Sequence, residues 1–130
     1  MPIQIGINQE HRNARLQVLL TDELERRLAV GFDYDFGDSR GTHRIGTTPA
    51  DMKRWVDEVS PAAQALINVG QPDATIDLKT EVGPVSVTAA EWQQVLVAAM
   101  LFRQPIFQAY FTLKAESSLP SDFTDDKYWP

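Results

Sequence analysis

Phe32-Asp33-Tyr34-Asp35-Phe36-Gly37-Asp38-Ser39-Arg40-Gly41-Thr42-His43-Arg44-Ile45 is the stretch whose reading decides the fold. Three aromatics alternate with two aspartates, a period of two that separates an apolar face from a wet one along a strand. Gly37 to Gly41 has the composition of a turn, and Thr42 to Ile45 reads as the returning strand. The stretch is therefore a β-hairpin with an aromatic inner face. An all-helical chain is excluded, and the flanking sequence must be placed around a strand pair.

Upstream, Leu16, Leu20, Leu24 and Leu28 recur every four residues, with Leu19 three after the first, on one helical face. Arg26 and Arg27 suit the negative end of that helix, and Gly31 is placed to close it. Downstream, Thr48-Pro49-Ala50-Asp51 supplies a capping Thr, a Pro at the first helical position and an acid at the third. Met52, Trp55, Val56 and Val59 follow on one face. Ser60-Pro61 repeats the start signal, so a break and a restart through Leu66, Ile67 and Val69 are expected. Ile76 and Leu78, then Val85 and Val87, alternate with polar residues around Gly83-Pro84 and predict a second hairpin. Thr88-Ala89-Ala90-Glu91 is a capping box that opens the most apolar helix. Trp92, Val95, Leu96, Ala99, Met100, Ile106, Phe107, Tyr110 and Leu113 form its stripe. Pro105, inside it, predicts a kink.

These elements predict an α+β fold: two β-hairpins forming a small antiparallel sheet, helices packed on one face, and a long, proline-kinked C-terminal helix. Three consecutive segments are expected. They are an N-terminal arm and helix over 1–30, the α+β domain over 31–116, and an acidic, aromatic tail over 117–130.

Composition removes several functions. The 130 residues allow one domain with an arm or tail. Lys+Arg 12 against Asp+Glu 18 gives a net charge of −6, the wrong sign for replacing phosphate counterions, so no nucleic-acid partner is expected. A DNA-mimicking inhibitor would need a dense negative face, and the acids here are spread out. With no cysteine, a disulfide framework, a zinc–thiolate site and a cysteine nucleophile are excluded. The longest apolar run, Val95 to Phe102, is far short of the roughly 20 residues that span a bilayer. The N-terminus lacks the basic start and apolar core of a signal peptide. No membrane partner, metal or cofactor is expected.

A calcium-binding loop starting at Asp33 fails where it needs an oxygen ligand (Gly37), a glycine (Asp38) and a bidentate glutamate (Arg44). His43 could meet Ser39 and either Asp33 or Asp35 across the hairpin, the arrangement a small hydrolase or metal-dependent enzyme would need. No nucleophile-elbow or oxyanion motif accompanies it. Asp57 with Glu58, and Asp77 with Glu81, fall at polar positions of amphipathic elements, where solvation is expected. His11, among Glu10, Arg12 and Asn13, reads as exposed.

The stronger signal is apolar excess. Val97, Leu101, Phe102 and Phe111 lie off the main stripe of the last helix, and a helix apolar on more than one face is buried on more than one side. The tail adds Leu119, Phe123, Tyr128 and Trp129, and Tyr and Trp are enriched at interface hot spots. Phe102, Phe107, Phe111, Phe123, Tyr128 and Trp129 are the candidate interface residues, and an oligomer or part of a larger assembly is expected.

Leu28-Ala29-Val30-Gly31-Phe32-Asp33-Tyr34-Asp35-Phe36, Gly41-Thr42-His43-Arg44-Ile45-Gly46, Thr48, Asp51, Trp55, Val87-Thr88-Ala89-Ala90-Glu91-Trp92 and Phe102-Arg103-Gln104 together resemble an uncharacterised domain family of tailed phages and prophages. The resemblance covers residues 25–116 and rests on turns, caps and core positions. That family accompanies tail, tail-fibre and fibre-assembly genes and brings no enzymatic activity. The resemblance implies a non-enzymatic virion component of the tail or fibre/baseplate region, assembled in the host cytoplasm. Its partners would be other virion proteins or copies of itself. The alternative it implies is a tail-fibre assembly chaperone absent from the mature particle.

Overall fold

The computed structural model describes residues 2–130, with side chains from Glu10 onward. The elements are α1 (Pro2–Leu28), β1 (Phe32–Asp35), β2 (Thr42–Ile45), α2 (Pro49–Arg54), a π-helical turn (Trp55–Val59), α3 (Ser60–Asn68), β3 (Thr75–Thr80), β4 (Gly83–Thr88), α4 (Ala89–Lys114) and a 3-10 turn (Asp126–Tyr128). The fold class is α+β. Backbone proximity divides the chain into two units, one made of residues up to Arg27 together with Gln104–Pro130, the other of Leu28–Arg103. This replaces the three consecutive segments expected from the sequence. Both long helices cross the division, so composition changes along the chain do not mark it.

The second unit holds the hairpins. In the first, Phe32 pairs with Ile45 and Tyr34 with His43. Period-two alternation turns those four to the inner face and leaves Asp33, Asp35 and Thr42 exposed. In the other, Ile76 pairs with Val87, Leu78 with Val85 and Thr80 with Gly83. Gly83 and Pro84 thus already belong to β4, and the turn lies before them. The two hairpins form separate two-stranded sheets rather than the single sheet expected. Between them His43 Nδ1 lies 2.8 Å from Thr80 Oγ1, and both residues are buried.

Capping follows the sequence closely. Thr48 and Asp51 make a reciprocal capping box at α2, as do Thr88 and Glu91 at α4. At Ser60-Pro61 the helix does not break. Proline cannot donate and crowds the carbonyl four residues earlier. The chain answers with a wider turn, in which the Ser60 N–H reaches the Trp55 carbonyl five residues back. Ser60 is then free to accept, through Oγ, the Trp92 indole N–H at 3.0 Å. Trp55 donates to the Gly46 carbonyl at 2.8 Å, and the two indoles lie 5.3 Å apart. Around this pair Ile45, Val59, Leu78, Val87 and Val95 complete the core.

Between α1 and β1 the chain must pass close to β2. Gly31 has φ +83°, and a Cβ there would sit 2.7 Å from the Ile45 carbonyl oxygen, so only glycine fits. Thr47 Oγ1 donates to the Leu28 carbonyl at 2.6 Å and satisfies the end of α1.

In the first unit, helix begins at Pro2 in place of an arm. A first-turn proline loses nothing there, because its N–H would have no helical partner. Leu20, Leu24, Ile106, Leu113, Phe123 and Trp129 are buried. α4 runs through Pro105 without interruption.

Candidate docking site

Val97, Met100 and Leu101 occupy one turn of α4 and are 53 %, 50 % and 64 % exposed. Residues three and four apart are neighbours on a helix surface, so the three form one apolar patch. The inward positions of the same stretch, Trp92 and Val95, are buried, which fixes the opposite face outward. Gln94, one turn before Val97, is exposed and uncharged. The site thus offers an apolar surface with an exposed amide, Gln94, at its edge. That combination suits an apolar or helical partner surface.

The six residues singled out from the sequence have divergent fates. Phe102, in the second unit, is half-buried with its ring 5.6 Å from that of Phe32. In the first unit Phe107 is half-buried, its ring 6.5 Å from that of Phe111, and Phe111 is 60 % exposed. Tyr128 is half-buried, and its hydroxyl donates to Asp122 at 2.8 Å. Phe123 and Trp129 are buried within their own chain, a correction to their reading as surfaces free for a neighbour. Trp129 Nε1 donates to the Phe123 carbonyl at 2.7 Å, and the Arg27 guanidinium lies 5.2 Å from the Trp129 ring centre.

Val97 and Leu101 carried the right signal, apolar residues off the main stripe. Met100 falls on the main stripe by spacing and lies outside the core. One position of rotation on a helix moves a side chain by about 100°, enough to transfer a residue from rim to surface.

The enzyme reading needs Asp33 or Asp35 beside His43, and the hairpin register forbids it. His43 pairs with Tyr34, so the aspartates face the other way. Asp33 binds Arg44 at 3.3 Å, and Asp35 accepts from the Gly37 N–H at 2.8 Å. His43 Nε2 contacts the Arg40 carbonyl at 3.1 Å. Among the described residues no group of three or more His, Asp or Glu is placed to hold a metal ion, and no helix is long and apolar enough to cross a membrane.

A charged network braces the outer edge of the second unit. Arg40 donates to Glu91 at 2.6 and 3.0 Å, to Asp38 at 2.7 Å and to the Ser86 carbonyl at 3.0 Å. The Arg40 hydrogen bonds hold the carboxyls of Glu91 and Asp38 down to about 2. Every partner here is internal, so the network reads as a brace.

Comparison with protein-family models, with curated proteins and with solved structures finds no match to this chain.

Proposed function

We propose that this chain is a non-enzymatic bacteriophage protein that works by docking onto other proteins, as a small virion component of the tail or its fibre and baseplate region. The observation that carries the docking is the Val97–Met100–Leu101 patch, three apolar side chains each at least half exposed on one helical turn. Isolated exposed apolar residues are ordinary, but a contiguous patch on a rigid helix is the feature of an interaction site. The placement in a phage particle rests on the resemblance over residues 25–116.

The test is mass spectrometry of purified particles carrying either the natural chain or Leu101→Glu. The natural chain is expected at stoichiometric levels, and the variant at about a tenth of that or less, the loss expected when a charge enters an apolar contact. Both should have the same circular dichroism spectrum, since Leu101 is outside the core. Equal incorporation of the variant overturns the docking site. Absence of the natural chain from complete particles, with fibres missing when it is deleted, replaces the component reading with that of an assembly chaperone.

A further inference from the structure

The first unit closes by seating the C-terminal segment on one arginine. Arg27 is only 11 % exposed at its side chain. Its Nη2 donates to the Thr124 carbonyl at 2.8 Å and to Asp126 Oδ1 at 2.7 Å, and its face covers Trp129. Its Nε donates to Glu23 at 2.9 Å, and Arg26 holds the same carboxylate, so the arginine is aimed before the segment arrives. The segment is also pre-shaped. Asp125 caps the 3-10 turn by accepting the Lys127 N–H at 2.9 Å, and Asp122 binds Lys127 and Tyr128. A folded latch thus meets a folded seat. The segment is joined to α4 through Glu116, Ser117 and Ser118, which are exposed bends, and a cavity of about 190 Å³ lies against them, lined by Asn13, Leu16, Gln17, Glu116, Ser117 and Leu119.

We infer that this latch exchanges between copies, the C-terminal segment of one chain seating on Arg27 of a second. Every contact just described is the same in trans as in cis, so exchange costs little beyond association itself. A short flexible connection gives the tethered latch an effective concentration of about a millimolar. If it is closed about a hundred times more often than open, the same contact in trans has a Kd of about 10 μM. The natural chain is therefore monomeric when dilute, and exchange emerges when copies are crowded, as in an assembling particle. This goes beyond the docking reading and uses a different unit and surface.

The experiment breaks the two halves in separate full-length copies. Arg27→Ala removes the seat and keeps the latch; Trp129→Ala removes the latch and keeps the seat. Each alone should sediment as a monomer. Mixed in equal amounts at about 100 μM, tenfold above the estimated Kd, they should form mainly a 1:1 heterodimer. Because Trp129→Ala empties a buried position, Asp126→Arg serves as a second latch lesion; that side chain is 94 % exposed, so the fold is kept. The heterodimer should persist when both copies also carry Leu101→Glu. A mixture of folded variants that stays monomeric overturns the exchange, and so does a heterodimer abolished by Leu101→Glu, which would place the contact on α4.

Discussion

The two units solve the same packing problem from opposite kinds of sequence information. The second unit is built of neighbours: strand pairs closed by short turns, capping boxes four residues long, and helices in chain order between them. The first unit joins the two ends of the chain, and Arg27 reaches partners 97 and 99 positions away. Local elements reward the chain as they form, whereas joining distant ends costs loop-closure entropy before any contact repays it. The first unit should therefore be the one that opens more readily, which is also what latch exchange needs.

The largest expected effect tests that asymmetry at the core of the second unit. Trp92 is 1 % exposed, stacks obliquely on Trp55 and donates to Ser60. Trp92→Ala should cost about 3–5 kcal/mol, the range for truncating a buried aromatic. Hydrogen exchange read residue by residue should show protection lost across residues 28–103 first. Equal and simultaneous loss in both units would mean that they unfold as one body, and the comparison would fail.

Gly31→Ala is a sharper but smaller probe of the passage between α1 and the first hairpin. The added methyl would meet backbone oxygen, which cannot move aside as a side-chain tip can, and φ +83° disfavours any L side chain. A loss of about 1–3 kcal/mol is expected in chemical denaturation, the cost of a strained backbone position. A loss below a few tenths would show that Gly31 and Ile45 are free to separate there.

The same contrast explains what the sequence could reveal. The Phe32–Ile45 alternation, the Thr48 and Thr88 caps and the Trp92–Val95 core positions are written in periods and spacings of two to four residues, and all were legible. The separation of the hairpins into two sheets was not, because which strands pair is settled between positions far apart in the chain, where short-range periods carry no information. Ser60-Pro61 gave the right local signal and the wrong outcome: a start signal can be absorbed by one wide turn when a buried indole needs the serine. For the candidate site, the excess apolar positions of α4 were visible, but the fates of Phe123 and Trp129 were not. Acidic and aromatic residues at these positions describe an exposed docking segment and a self-seated latch equally well; a single distant arginine, Arg27, decides between them.

The smallest expected effect compares how acid acts on each unit. Glu91 and Asp38 share Arg40, and both titrate near 2 in the folded chain against ordinary values of 4.5 and 3.8. Lowered folded-state values mean that the unfolded chain binds more protons in that interval. The stabilisation is therefore fully present above about pH 5 and is lost as pH falls through the interval toward 2. Glu23 in the first unit is also lowered, chiefly by its hydrogen bond to Arg26, with burial opposing. Arg40→Leu should therefore flatten the acid limb of stability for residues 28–103 and leave that of the first unit unchanged, measured by hydrogen exchange at a series of pH values. The effect is modest because Arg40 is a quarter exposed and Asp38 half exposed, so water and salt screen the pairs. Raising the salt concentration should shrink the difference between the natural chain and the variant at pH 6. A salt-independent difference would mean instead that the aliphatic part of Arg40, whose head lies 4.7 Å from the Phe36 ring centre, contributes by packing rather than by charge.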